Sequence, residues 1–291
     1  MKNILLTGFS GFVGSYFIDK YKYKYNFKTF SFRDDNFSSL HVEGVDVVVH
    51  LSALVHQMDG ASEEEYKKVN ITQTLDLAKK AKKSGVRYFI FMSTIAVYGQ
   101  ETGIVYEYST CRPITEYGRS KFKAENELLK LEDDNFKVSI IRSPIVNGFN
   151  APGNMKSLIN LVSKLPVLPF ANINNKRSMV YVGNLCHLID EIIKQEVSGV
   201  FLASDDKAIS TTELIELIAK NLEKKVYLIK IPFFESLLKL VKPYFHKRLF
   251  MSLEVDNTKT KETLKFENLY SVEDGIRFMI VNKNILTKDT K

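Results

Sequence analysis

Tyr117 and Lys121 lie four residues apart, in the run Tyr117-Gly118-Arg119-Ser120-Lys121. On a helix that spacing puts both on one face, with Cβ atoms about 5–6 Å apart. A nearby ammonium favours the phenolate and lowers a tyrosine from its usual value near ~10. The pair therefore predicts a proton donor and acceptor usable near neutral pH. Upstream, Ser93-Thr94 offers a hydroxyl able to hold a carbonyl oxygen. Nearer the N-terminus, Thr7-Gly8-Phe9-Ser10-Gly11-Phe12-Val13-Gly14 can cradle a nucleotide cofactor. Parts of this kind describe an enzyme.

The glycines must stand between a strand and a helix to work in this way. Asn3–Thr7 is a strand candidate and Gly11–Lys22 a helix candidate, so they do. Gly8 then permits the tight turn, Gly11 lets backbone approach a pyrophosphate, and Gly14 allows close helix–sheet packing. Ser10, Phe12 and Val13 complete the cradle, and the helix N-terminus presents amide donors to phosphate. The second strand candidate, Thr29–Phe32, runs into Arg33-Asp34-Asp35. An arginine at this tip accommodates the 2′-phosphate of NADP, whereas an acidic residue binds the ribose of NAD. Arg33 comes first, so NADP(H) is favoured, with NAD(H) kept open by Asp34.

Further strand candidates are Val45–Leu51, Tyr88–Ser93 and Val138–Arg142, alternating with helices near Glu63–Ser84 and Thr115–Leu131. This alternation predicts a parallel sheet covered on both faces. The stretch between Phe32 and Val45 is too short for a full strand–helix excursion, so a trimmed sheet edge is expected there. After Gly148 the pattern loosens: a loop, a helix through Lys164, a strand at Ser178–Val182 and helices at Asn184–Gln195 and Thr211–Leu222.

Charged residues make up 26% of the 291, with a formal net charge of +7. The lysines are scattered over helical faces and no nucleic-acid motif accompanies them, so nucleic acid is not an expected partner. Cys111 and Cys186 form no CxxC or Cys/His cluster, which fits a reducing, cytoplasmic setting. His50 and His56 read as packing or loop residues, and no metal is expected. The chain begins with strand-like residues, leaving no room for a signal peptide. Between Ile229 and Leu253 an apolar stretch is broken by prolines and charges, so stable membrane insertion is not expected. It reads as an amphipathic segment docked on the protein itself. Residues 288–291 are expected to fray.

With Gly8, Gly11 and Gly14 ahead of Ser93-Thr94-Ile95-Ala96-Val97-Tyr98-Gly99 and Tyr117-x-x-x-Lys121, the chain resembles the extended short-chain dehydrogenase/reductases. The resemblance covers nearly the whole length. It implies an α/β fold: a Rossmann-type doubly wound parallel sheet with a smaller C-terminal α/β lobe for a UDP-sugar substrate. Residues 1–148 would bind NAD(P), with 178–196 returning to that domain, while 149–177 and 197–291 would form the lobe. Thr94 falls at the family's catalytic Ser/Thr, Tyr117 at its acid/base and Lys121 at its ribose-binding lysine. Leu51, Ser52, Ala53, Asn70, Ser93, Ser143 and Pro144 match positions that line the cofactor. Arg177 and Asn154 match residues that meet the substrate diphosphate. Tyr181 replaces the usual histidine, Gly183-Asn184 an acidic pair, and Asn147 a tyrosine. A homodimer through Glu63–Ser84 and Thr115–Leu131 is also implied.

Leu51–His56, Phe91–Thr94 and Arg177–Leu185 look most like bacterial surface-polysaccharide enzymes. That likeness implies reduction of the C4 ketone of a UDP-4-keto-6-deoxy-N-acetylhexosamine to UDP-N-acetylquinovosamine or its C4 epimer. The alternative is a UDP-hexose or UDP-N-acetylhexosamine 4-epimerase holding NAD tightly. A third reading, a non-catalytic redox sensor, fits poorly with the retained Thr94, Tyr117 and Lys121.

Overall fold

The computed structural model describes residues 1–55 and 61–281. His56, the Asn154 side chain and residues 288–291 lie outside the described residues. In chain order the first half comprises β1 (Asn3–Thr7), α1 (Phe12–Tyr21), β2 (Asn26–Phe30), β3 (Val47–His50), α2 (Glu63–Tyr66), α3 (Gln73–Lys83), β4 (Tyr88–Thr94), β5 (Gly103–Val105), α4 (Glu116–Leu129) and β6 (Lys137–Ser143). The second half comprises β7 (Ile145–Asn147), α5 (Asn154–Lys164), β8 (Val167–Leu168), β9 (Met179–Tyr181), α6 (Val182–Gln195), β10 (Gly199–Leu202), α7 (Thr211–Asn221), β11 (Tyr227–Leu228), α8 (Phe234–Val241), α9 (Pro243–Phe250), β12 (Leu253–Val255), α10 (Thr258–Leu264) and α11 (Val272–Ile280).

Six strands form one parallel sheet in the order β10-β6-β4-β3-β1-β2. Its central strands β1, β3, β4 and β6 are buried on both faces, as a sheet covered by helices demands, while the edge strand β2 is largely exposed. Ile4, Leu6, Val47 and Val49 pack with Phe17 of α1 and Leu185 and Ile189 of α6. Leu5 and Val48, one residue out of phase, pack with Leu77 of α3 and Leu128 of α4. The period of two therefore divides the core into two layers. From β1 the chain goes to one side for β2 and to the other for β3, which makes the β1/β3 crevice the topological switch point.

Three expectations need correction. The second strand is Asn26–Phe30, paired from Asn3↔Asn26, not Thr29–Phe32. Ser31 leaves the ladder because its backbone N–H and hydroxyl donate to Asp35 and Asp34, each at 2.7 Å. The helix expected over Glu63–Ser84 is interrupted by a π-helical segment, Lys67–Thr72. The boundary expected at residue 197 falls too early, since Gly199–Leu202 pairs with Ser139–Arg142 as an edge strand of the main sheet. The amphipathic segment around α8 and α9 docks on the lobe as expected, along one side. Phe234, Leu249 and Phe250 join the lobe's core with Met155, Ile215 and Ile276, whereas α8 buries none of its residues.

Candidate active site

Tyr117, Lys121 and Glu125 recur every fourth residue along the inward face of α4. Thr115 caps the helix by accepting the Gly118 N–H at 3.1 Å. Gly118 is needed for the approach: a Cβ there would lie 2.7 Å from the Ala96 carbonyl oxygen. The N-terminal end of α4 can thus press against the turn that follows Thr94. Within that contact the Thr94 side chain lies close enough to the Tyr117 phenol to lower its pKa. Thr94 Oγ1 also accepts the Ala96 N–H at 3.2 Å. Both hydroxyl-bearing residues are only half-buried. Thr94 and Tyr117 are thus brought together.

The expected direction of the Tyr117 pKa is corrected. Burial pushes the phenol up to about 12, the Thr94 side chain pulls it back, and the neighbouring Tyr66 adds to the rise. Lys121 takes a different partner. Its Nζ donates to the Met92 carbonyl at 2.7 Å and sits 4.3 Å from the Phe91 ring centroid. Burial lowers this lysine to about 7, with Glu125 opposing the fall.

Glu125 was missed, yet it anchors the helix. Its carboxylate accepts Arg142 Nη2 at 2.7 Å and Nε at 3.2 Å, as well as the Ser93 hydroxyl. Arg142 completes its fork by donating to the Tyr98 hydroxyl at 2.9 Å. Glu125 is 1% exposed and Arg142 6%, so this pair is shielded from water. It ties α4 to β4 and β6, the strands that carry Thr94 and Ser143. Ser93, expected beside the cofactor, is thereby a positioning residue. Glutamate four residues beyond Lys121 was the available signal.

The cradle forms at the switch point. Gly8 has φ +70°, and a Cβ on it would lie 2.7 Å from the Ser52 nitrogen. A Cβ on Gly14 would lie 2.3 Å from the Gly8 oxygen, so α1 can start only with glycine there. No side chain caps α1 and its first turn holds no acidic residue, which leaves an electropositive helix end beside exposed Ser10 and Gly11 and half-buried Phe12 and Val13. Across the crevice, Leu51, Ser52 and Ala53 are half-buried. The loop that follows is held by Asn70 from the π-helical segment. Asn70 Oδ1 accepts the Leu54 N–H at 2.8 Å, and its Nδ2 donates to the Leu54 carbonyl at 2.9 Å and to Ser120 at 3.0 Å. Its amide is therefore engaged with protein, and it shapes the cradle through the loop. Ser143 and Pro144 end β6 and are buried. Arg33 is exposed in the turn beyond β2. This donor set, a glycine turn at an uncapped helix end, fits a dinucleotide diphosphate.

His50 bridges Thr7 at 2.7 Å and Thr74 at 2.9 Å beneath the crevice. Burial and the nearby Lys121 lower it to about 3, so it is neutral at physiological pH.

In the lobe, Arg177 Nη1 donates to the Met251 carbonyl at 3.1 Å. Burial and neighbouring Arg248 hold its guanidinium below the usual arginine range. Among the described residues no ion pair engages either arginine. Arg277, also basic and in reach by sequence, instead pairs with Asp274 at 2.8 Å. Tyr181 belongs to the core, packed edge-on against Tyr16 and Tyr270. Asn147 is fully buried with neither side-chain polar atom hydrogen-bonded.

Residues 4–202 match the family model described as the NAD dependent epimerase/dehydratase family. The chain belongs to that family. It is 36% identical to a UDP-glucose 4-epimerase of Vibrio cholerae over 309 aligned residues, which covers 95% of this chain and 94% of that one. It is 27% identical to the N-acetyl-α-D-glucosaminyl-diphospho-ditrans,octacis-undecaprenol 4-epimerase of Escherichia coli O157:H7, covering 79% and 76% of the two chains. Its fold matches the solved UDP-N-acetylglucosamine 4-epimerase of Bacillus cereus with a TM-score of 0.78 and 21% identity, over 99% and 100% of the two chains.

Proposed function

We propose that this family member is a UDP-sugar 4-epimerase that inverts C4 of a UDP-hexose or UDP-N-acetylhexosamine, with NAD held in the Gly8–Gly14 cradle. The observation that carries the chemistry is the convergence of the Tyr117 phenol and the Thr94 side chain where α4 meets the turn after β4. The 36% identity to the V. cholerae enzyme along nearly the whole chain favours epimerisation over the 4-ketoreduction expected from sequence. The lean towards NADP(H) rested on Arg33, an exposed turn residue; the epimerase reading instead carries a tightly held NAD that is recycled within each turnover.

A bound nicotinamide dinucleotide supplies the acceptor and donor of hydride at the sugar carbon. The chain's residues do the rest. The Gly8–Gly14 turn and the first amides of α1 bind its diphosphate. Thr94 and Tyr117 hold the C4 oxygen between them, and Thr94 steadies charge that develops on it. Tyr117 moves the proton on and off that oxygen. With a pKa of about 12 the free phenol is protonated at neutral pH, whereas epimerisation from the alcohol begins with Tyr117 taking the C4 hydroxyl proton. Taking a proton requires a cation close by, and Lys121, one helical turn away, is the group on hand. Arg177 and Arg248 offer two guanidiniums to the substrate diphosphate, and an anion between them relieves their mutual repulsion. Asn154 is assigned to the same diphosphate. The homodimer through Glu63–Ser84 and Thr115–Leu131 is part of this proposal. The outer side of α4, where Ile114 and Leu129 are exposed, is the surface it would use.

Incubating the purified chain with UDP-glucose or UDP-N-acetylglucosamine, with no reductant added, should yield a mixture of C4 epimers by proton NMR. Denaturing the protein should release NAD. If no UDP-hexose is converted while a UDP-4-keto-6-deoxy-N-acetylhexosamine consumes NAD(P)H one for one, the ketoreductase reading replaces this one.

A further inference from the structure

Of α8 and α9 the site just described uses only Arg248, and their outer surface is apolar. Phe233, Leu237, Leu240 and Val241 are 86%, 60%, 83% and 60% exposed. Their spacing of four, seven and eight residues sets them on one helical face. Ile229, Ile231, Tyr244 and Phe245 extend the patch, each exposed as well. Single exposed leucines are ordinary, whereas a contiguous apolar face is a contact surface. Phe233 adds a second sign. Its φ of +61° lies in the left-handed region that bulky residues avoid, while its ring stands in solvent with no packing in return.

The surrounding charge identifies the partner. From Ile229 to Phe250 the chain carries Lys230, Lys239, Lys242, Lys247 and Arg248 against a single acidic residue, Glu235. Glu235 contacts His246 at 3.1 Å, and Lys247 reaches Glu101 at 2.5 Å. Among the described residues no ion pair engages Lys230, Lys239 or Lys242. An apolar helical face rimmed by lysines matches a layer of anionic headgroups over hydrocarbon. No helix among the described residues is long and apolar enough to cross a membrane, so the contact is with the surface.

We propose that the α8–α9 hairpin docks this protein on bilayers containing anionic phospholipid. Phe233, Leu237 and Leu240 enter the acyl boundary, and Lys239 and Lys242 meet the headgroups. The docked hairpin lies beside the lobe's arginine pair, because Arg248 is on α9 and Arg177 donates to the carbonyl of Met251, the residue after that helix. A single hairpin gives reversible adsorption, since stable anchoring takes more than one weak signal.

Sedimentation of the full chain with vesicles tests this without reference to its activity. The wild type should partition onto phosphatidylglycerol-containing vesicles and much less onto pure phosphatidylcholine, and the difference should fade at high salt. Phe233→Asp with Leu240→Asp should lower partitioning on the order of tenfold or more. Lys239→Glu with Lys242→Glu should remove most of the preference for anionic lipid, at roughly fivefold per lysine. Thermal unfolding checks that each variant is folded, and the wild-type salt and lipid dependence stands even if one is not. Absent partitioning, equal partitioning of wild type and variants, or a wild-type dimer that the aspartate pair dissolves would each overturn the proposal. The last result would make the face an interface between copies of the chain.

Discussion

Helices α4 and α8 are both amphipathic, and they use their faces in opposite ways. α4 turns Tyr117, Lys121 and Glu125 inward, while α8 turns Phe233, Leu237 and Leu240 outward. Each arrangement costs free energy in isolation. Burying an ammonium or a carboxylate is tolerable only when partners satisfy it. On α4 the charged groups have them: the Met92 carbonyl for Lys121, and Arg142 with Ser93 for Glu125. α8 has no such closure within the described chain. A line of satisfied charges marks where the protein does chemistry, and an unsatisfied apolar line marks where it meets something else.

The sharpest way to test the buried side is to remove one atom from it. Tyr117→Phe should lower turnover on the order of a thousandfold while leaving cofactor retention unchanged. Steady-state epimerisation and quantification of nucleotide released on denaturation measure both. An unaltered rate would mean that this hydroxyl moves no proton. Glu125→Ala acts on the support rather than the chemistry. It strands Arg142 in the core and should destabilise the fold by about 3–5 kcal/mol, measured by urea unfolding. Replacing Glu125 and Arg142 together with methionine should cost less than Glu125→Ala alone. If the double variant is the worse, the pair contributes more than the avoidance of an unpaired charge.

That pair also shows where sequence reading stops. Gly8, Gly11, Gly14, Thr94 and the Tyr117/Lys121 spacing are local patterns, and the strand–turn–helix and the shared helical face they predict are formed, though Lys121 turns to the Met92 carbonyl. β1 and the buried run around β3 were legible for the same reason: a strand covered on both faces is apolar throughout. Glu125 and Arg142 meet across two elements, and Arg248 reaches Arg177 from 71 residues away by number, so spacing carries no trace of either contact. The Tyr117 pKa went the wrong way because its sign depends on how deeply the helix buries the phenol. Charge proximity was visible in the sequence; desolvation was not. β10 was assigned to the lobe because four apolar residues after a helix look alike in either domain.

A pH experiment sharpens the buried side further. His50 titrates at about 3 in the folded chain against an ordinary value of 6.5, since burial and Lys121 oppose its charge. The unfolded chain therefore binds more protons between those values, and stability falls as pH drops through that window. Above 6.5 both states are neutral at this residue and its pH-dependent contribution is intact. In His50→Gln the Thr7 and Thr74 partners remain but the titration is gone. The loss of urea midpoint from pH 7 to pH 4.5 should be smaller in this variant than in wild type. Equal losses would assign the acid sensitivity to carboxylates elsewhere.

The smallest expected effect concerns the exposed side. Leu240→Lys removes an apolar side chain from a position that is 83% in water, where it makes little contribution to the core. If the outward face of α8 is free in the isolated chain, unfolding stability should change by less than about 0.5 kcal/mol. Leu238→Lys, at a half-buried position one turn from Phe234, should cost more. Urea midpoints of the two variants compare the faces of a single helix directly. A large loss at Leu240 would mean that another part of the chain or a second copy covers it, and the contrast between α4 and α8 would then disappear.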